Sequence, residues 1–264
     1  MFLTDFCNFD TVIFACSGPS LNKITDIFSL GLPVISISTT IRTIPNPHVW
    51  IYSDYLNEMH GEQGKQAYVN PNIIKIIQEG KETNHISGNN IHTYPCQGSN
   101  RTFDATKHLF NFSQPFARGP HKSITFGIQW AHSIGIKNII FAGNDLTAES
   151  MENKYCYKTE SYDIKKKHNF KRTLSEVENT LIDWFPIAQK HGYNWYSWEC
   201  GSVFDKIVPE FNYEIYEKIM KTNAFLKKHD IIKQEIIERK PDHKSEYQES
   251  SEKYLSLMRK IKNL

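Results

Sequence analysis

Apolar residues in this chain fall into short unbroken runs, separated by turn residues and by stretches of helical spacing. Runs of four or five apolar residues predict strands buried on both faces, as in a parallel sheet covered by helices. Val12 to Ala15 is the first such run, and Ser17-Gly18-Pro19-Ser20 ends it. Leu21, Ile24 and Ile27-Phe28 then predict a helix. Val34 to Ser38 and Val49 to Ser53 predict the next strands, divided by Pro45-Asn46-Pro47. Residues 57–120 read as irregular and loop-rich, with a short helix or strand at Ile73 to Gln78 and a strand at His92 to Tyr94. Helical spacing returns from Ser123, read as an N-cap, to the stop at Gly135. Asn138 to Ala142 predicts a buried strand, followed at once by Gly143-Asn144-Asp145. A helix capped by Thr173 or Ser175 runs through Val177, Leu181, Ile182 and Phe185, and Tyr193 to Ser197 is a late strand. Cys200-Gly201-Ser202 turns into a short helix ending near Pro209. Met1 to Asp10 reads as a lead-in.

Strands alternating with helices predict an α/β fold: Rossmann-like, a mostly parallel sheet with helices on both faces, plus a C-terminal helical extension. The expected organisation is one catalytic domain over 1–210. Within it, 57–120 is an insertion rich in loops and 151–172 a candidate lid. A charged helical extension over 211–264 follows, suited to packing on the body, to extending as a coiled segment or to an oligomer contact.

Composition narrows the function classes. The 264 residues are 39% hydrophobic and 13% aromatic, enough for a substantial core. Net charge is +2, and residues 211–264 hold 12 Lys/Arg against 9 Asp/Glu, so the remainder is close to neutral. That argues against a nonspecific nucleic-acid coat. The five cysteines include no C-x-x-C pair, so neither a zinc knuckle nor a disulfide framework is indicated. No run of transmembrane length and no signal-peptide pattern appears, which leads to the expectation of a soluble cytoplasmic protein.

Candidate chemistry sits where strands end. Gly18 allows close backbone approach, Pro19 suits a first helical turn, and the N–H groups of such a turn attract anions. Thr39, Asp54 and Asp145 each follow a predicted strand, the edge at which open α/β sheets bind ligands. Asp54 also suits a helix N-cap. Arg101, Arg118, His121 and Lys122 are further cations within reach of an anionic ligand in sequence terms. Lys165-Lys166-Lys167-His168 with Lys171-Arg172 forms a basic cluster in the candidate lid. His132 lies mid-helix and is read as structural.

Three separated pieces resemble one superfamily. Ala15-Cys-Ser-Gly-Pro-Ser-Leu21 resembles the nucleotide loop of the bacterial lipooligosaccharide sialyltransferases, the motility-associated flagellin glycosyltransferases and the hydroxymethylpterin diphosphokinase-like proteins. Ser123 to Gly135 followed by Ile139 to Asp145 resembles their central helix, turn and strand ending in Gly-x-Asp. Asn179-Thr-Leu181 onward, with Gly192-Tyr193 and Cys200-Gly-Ser202, resembles their late helix, strand and small-residue turn.

The resemblance covers about residues 11–210 without the 57–120 loops. It implies a nucleotide-sugar glycosyltransferase with no tightly bound cofactor, and because the chain has no Asp-x-Asp motif a metal requirement is not expected. Ser17, Gly18, Pro19 and Ser20 would line the nucleotide, with Thr39, Asp54, Ser123, Gly143 and Ser202 around it. Ser17 and Thr39 stand where the sialyltransferases carry asparagine, which leaves the donor open. Tyr155 or Tyr157 would hold the leaving phosphate, Asp145 would be the strand-end acid and His168 the base. The acceptor would be a hydroxyl on a glycan, a protein or a modified nucleic-acid base. Two alternatives remain: a diphosphokinase carrying Mg²⁺ on Asp54 and Asp145, and a nucleotide-binding protein without catalysis.

Overall fold

The computed structural model describes residues 3–6, 9–53, 60–79, 90–97, 117–118, 122–146, 156, 170–200 and 203–222. Among the described residues nine strands lie in chain order: β1 (Thr11–Ala15), β2 (Val34–Ile37), β3 (Val49–Tyr52), β4 (Ile74–Gln78), β5 (Ile91–Tyr94), β6 (Cys96–Gln97), β7 (Ala117–Arg118), β8 (Asn138–Ala142) and β9 (Asn194–Trp198). Five helices of the described residues accompany them: α1 (Leu3–Phe6), α2 (Gly61–Val69), α3 (Ser123–Ser133), α4 (Phe170–Lys190) and α5 (Tyr213–Thr222).

Seven strands form one sheet in the order β5-β4-β3-β2-β1-β8-β9, and every adjacent pair is parallel. β6 and β7 make a separate two-stranded parallel pair. The chain builds outward from β1 to β5, returns through α3, and adds β8 and β9 on the other side of β1. The order therefore reverses between β1 and β8.

Both faces of the sheet are covered, and each strand divides its residues between them. Val12 and Phe14 join the core under α1, α3 and α4, while Ile13 and Ala15 join the opposite one with Leu21, Leu32 and Ile219. A third cluster places Trp50, Tyr52 and Ile77 against Ala67 and Tyr68 of α2. α3 crosses the sheet centre closely. A Cβ on Gly127 would stand 3.3 Å from both Ile51 Cδ1 and Phe14 Cε2. The C-terminal extension begins by packing on the body: Ile219 is buried, and Tyr216 Oη donates to Leu30 O at 3.2 Å.

Four expectations are corrected. The predicted helix over Leu21–Phe28 is only a 3-10 turn, Pro19–Lys23, because Ile24 turns extended and Asp26 closes its own turn by accepting the Phe28 N–H at 2.9 Å. The 57–120 stretch, expected to be irregular apart from its segments at 73–78 and 92–94, also holds α2, β6 and β7, while those two segments are the strands β4 and β5 as expected. The lead-in carries α1, with Phe6 fully buried and Phe9 nearly so. α4 begins at Phe170, ahead of its expected cap, and continues through Pro186.

Candidate functional site

The site is built from the ends of β1, β2, β3 and β8. Past β1 and β8 the two chains stay paired: Cys16 N–H donates to Ala142 O at 2.8 Å and Gly18 N–H to Gly143 O at 2.9 Å. Pro19 opens the 3-10 turn, and Ser20 N–H donates to Asp145 Oδ2 at 2.8 Å. Gly18 has φ −69°, so its backbone suits any residue. Space requires glycine instead, since a Cβ there would collide with the Asp145 carboxylate and stand 2.5 Å from Gly143 O. Gly143 is constrained twice, by φ +68° and by Leu21 Cβ 2.6 Å from where its own Cβ would be.

This changes the reading of the β1 loop as a ready anion site. Two of its donors are engaged by the β8 loop. The buried Asp145 carboxylate occupies the position at the turn that an incoming anion would take. A phosphate placed there meets a negative charge rather than bare N–H groups, and a ligand hydroxyl is the better match. The Ser20 hydroxyl beside it is buried with no hydrogen-bond partner.

The end of β2 is a second 3-10 turn, Ser38–Arg42, entered through Ser38 at φ +50°. Trp50 Nε1–H donates to the Ser38 carbonyl at 2.9 Å and holds that conformation. Thr39 and Thr40 are buried, and Thr40 Oγ1 has no hydrogen-bond partner. At the end of β3, Ser53 N–H donates to Ser123 Oγ at 3.1 Å, and the two hydroxyls also lie 3.1 Å apart. Ser123 was expected to cap α3. Its hydroxyl instead ties the helix to β3, and the cap is Lys122, whose N–H donates to Thr125 Oγ1 at 3.2 Å.

Cys156 bridges the first two turns. Its N–H donates to Ser17 O at 2.8 Å, its carbonyl accepts from Asn22 Nδ2 at 3.0 Å, and its sulfur lies 3.2 Å from Thr43 Oγ1. Cys200 closes the far side, its thiol donating to Phe141 O at 3.2 Å and accepting from Asn144 N–H at 3.3 Å. Cys16, Cys156 and Cys200, far apart in sequence, thus gather around Asp145. Burial raises all three thiols above their usual range, Cys200 to about 12, and the neighbouring Asp145 charge adds to this. They stay protonated at neutral pH and are packing groups rather than nucleophiles. Among the described residues no three His, Cys, Asp or Glu side chains come together as a metal site.

The fold brings Ser17, Gly18, Pro19, Ser20, Gly143 and Asp145 together, with Thr39 and Ser123 at the neighbouring strand ends. Asp54, Tyr155, Tyr157, His168 and Ser202 lie outside the described residues, as do Arg101 and His121. The Arg118 side chain does too. Ser53, Asn22, Arg42 and Cys156 were not singled out from sequence. Ser53 and Arg42 carried a signal, because each lies within a few residues of a predicted strand end. Nothing local marked Cys156 or Asn22. Among the described residues no helix is long and apolar enough to cross a membrane. No family model, curated protein or solved structure matches the chain.

Proposed function

We propose that the protein is a glycosyltransferase that moves a sugar from a nucleotide-sugar donor to a hydroxyl acceptor. The observation that carries this reading is the gathering of Ser17, Gly18, Thr39, the Ser53–Ser123 pair and Asp145 at the strand-order reversal of a parallel sheet. That crevice, outside the carboxyl ends of the strands, is where open α/β sheets bind nucleotides. The fold alone supports many chemistries. The choice of glycosyl transfer rests on the resemblance of the three sequence pieces.

In this reading the nucleotide lies across β1 and β8 with a sugar hydroxyl on Asp145, and Ser123 borders the donor. Tyrosine hydroxyls from Tyr155 or Tyr157 stabilise charge developing on the leaving phosphate. His168 takes the acceptor proton, as an imidazole with an ordinary value near 6.5 can at neutral pH.

The test is transfer from a labelled donor to a hydroxyl acceptor, with and without EDTA, followed by single-turnover rates for His168→Ala. The expected result is transfer that survives EDTA and falls roughly 10²–10⁴-fold in the variant, with donor binding retained. Transfer abolished by EDTA and restored by Mg²⁺ contradicts the metal-independent mechanism. A His168→Ala rate within threefold of wild type removes the histidine from the chemistry.

A further inference from the structure

We propose that Arg42 is the residue that holds the phosphate of the crevice's ligand, so that the ligand lies with its hydroxyl-bearing part on the β1–β8 loops and its anionic part at the β2 turn. The proposal rests on the nucleotide reading above and adds a direction and a phosphate-binding residue to it.

The two turns differ in polarity. At the β1 loop, Gly18 N–H and Ser20 N–H are taken by Gly143 O and by the Asp145 carboxylate, and Asp145 is buried. A phosphate cannot settle there without facing that charge at short range. The β2 turn has the opposite sign. It ends in Arg42, and the next residue, Thr43, reaches the Cys156 sulfur at 3.2 Å while the Cys156 N–H rests on Ser17 O. One residue therefore spans from the β1 loop to the foot of Arg42. The Arg42 stem runs past the start of α2, where a Cβ on Gly61 would stand 3.7 Å from its Cγ and 3.6 Å from its Nε. Its positive field is felt at Cys156, where it opposes the effect of Asp145 on the same thiol. Cys156 is thus within electrostatic reach of both a carboxylate and a guanidinium.

The other described cations near this edge are placed differently. Lys23 is largely exposed, and Lys122 caps α3, the helix whose first residue is tied to β3. A guanidinium is also the better chemical match, because its planar fork binds two phosphate oxygens at once.

The experiment is isothermal titration of the full chain with inorganic diphosphate, with nucleoside mono- and diphosphates and with the matching nucleosides. Wild type is compared with Arg42→Gln, Arg42→Lys and, as a control, Lys65→Gln on the exposed face of α2. Thermal unfolding of each variant is followed in parallel. The expected result is a roughly 10- to 100-fold loss of nucleotide and diphosphate affinity in Arg42→Gln, with nucleoside affinity unchanged. Arg42→Lys keeps the charge without the fork and is expected to fall between the two. It also carries the test should Arg42→Gln fail to fold. Phosphate-dependent affinity within twofold of wild type in both Arg42 variants overturns the proposal and leaves the nucleotide reading standing. Absence of both nucleotide and diphosphate binding in wild type overturns both. Arg42-dependent diphosphate binding without any nucleotide binding supports the arginine site and overturns the nucleotide reading.

Discussion

Gly18 illustrates how one position is fixed by its neighbours rather than by its own dihedrals. With φ at −69°, alanine would fit the backbone, yet its methyl would displace Asp145 from Ser20 N–H and crowd Gly143 O. Gly18→Ala is therefore expected to cost about 1–3 kcal/mol, and Gly18→Val more, read as a lower Tm. An unchanged Tm would show that the β8 loop moves aside freely. Two histidines make the chain sensitive to mild acid. His132 is buried, with Nδ1–H donating to Ile136 O at 2.7 Å and Nε2 accepting from Trp195 Nε1–H at 3.0 Å, which fixes the neutral ring. Burial pushes it down to about 3, and burial with the nearby Lys75 pushes His92 down to about 4. The unfolded chain protonates both near pH 6.5, whereas the folded chain does not. Stability is therefore lost as pH falls below about 6.5, by up to about 1.4 kcal/mol per pH unit for each ring. Denaturant titrations between pH 7.5 and 5 should show this decline, shallower in His92→Asn; stability flat over that range would contradict it. Lys75 behaves in the basic range. It is fully buried in β4, donates to Asn70 O at 2.6 Å, and burial lowers it to about 8. The unfolded side chain keeps its proton to about pH 10.4, so stability rises from pH 8 upward. Lys75→Met is expected to leave stability at pH 7 unchanged or higher and to flatten that rise.

Between elements, the decisive contact is the one from the β8 loop to the turn after β1. Asp145 and Ser20 are 125 residues apart, and their bond closes the switch point from above while strand pairing closes it from below. Asp145→Ala is expected to destabilise the fold by about 1–3 kcal/mol, and Asp145→Asn by less, since an amide oxygen still accepts from Ser20 N–H. Equal Tm values for Asp145→Ala and wild type would show that the contact contributes nothing. The same contact explains what the sequence left hidden. Strands such as Asn138–Ala142 were legible because both faces are apolar, and Gly143 and Asp145 were legible as strand-end residues. That Asp145 would turn back onto the β1 loop was not, because no local pattern records which distant backbone donor a carboxylate meets. The Ser53–Ser123 pair and the Cys156 bridge escaped for the same reason. The helix expected after β1 failed on local grounds, since the Asp26 turn outcompeted a periodicity that Ile24, Ile27 and Phe28 satisfied by count.

For the whole molecule, the parallel sheet reverses its strand order between β1 and β8, and the proposed ligand site lies at that reversal. Alternating strand and helix signals made that architecture legible. Within the stretch 57–120 the segments that became β4 and β5 were marked, but the helix α2 between β3 and β4 was not, because its mostly polar residues bury only Gly64, Ala67 and Tyr68. The central claim is that this reversal binds a nucleotide sugar. Its most direct test is isothermal titration of wild type and Asp145→Asn with cytidine, uridine, guanosine and thymidine nucleotide sugars, with Tm followed alongside. The expected result is one class binding once per chain and raising Tm, with affinity reduced roughly tenfold or more in Asp145→Asn. Binding of none of the four at millimolar concentration, or binding that Asp145→Asn leaves unchanged, would contradict it.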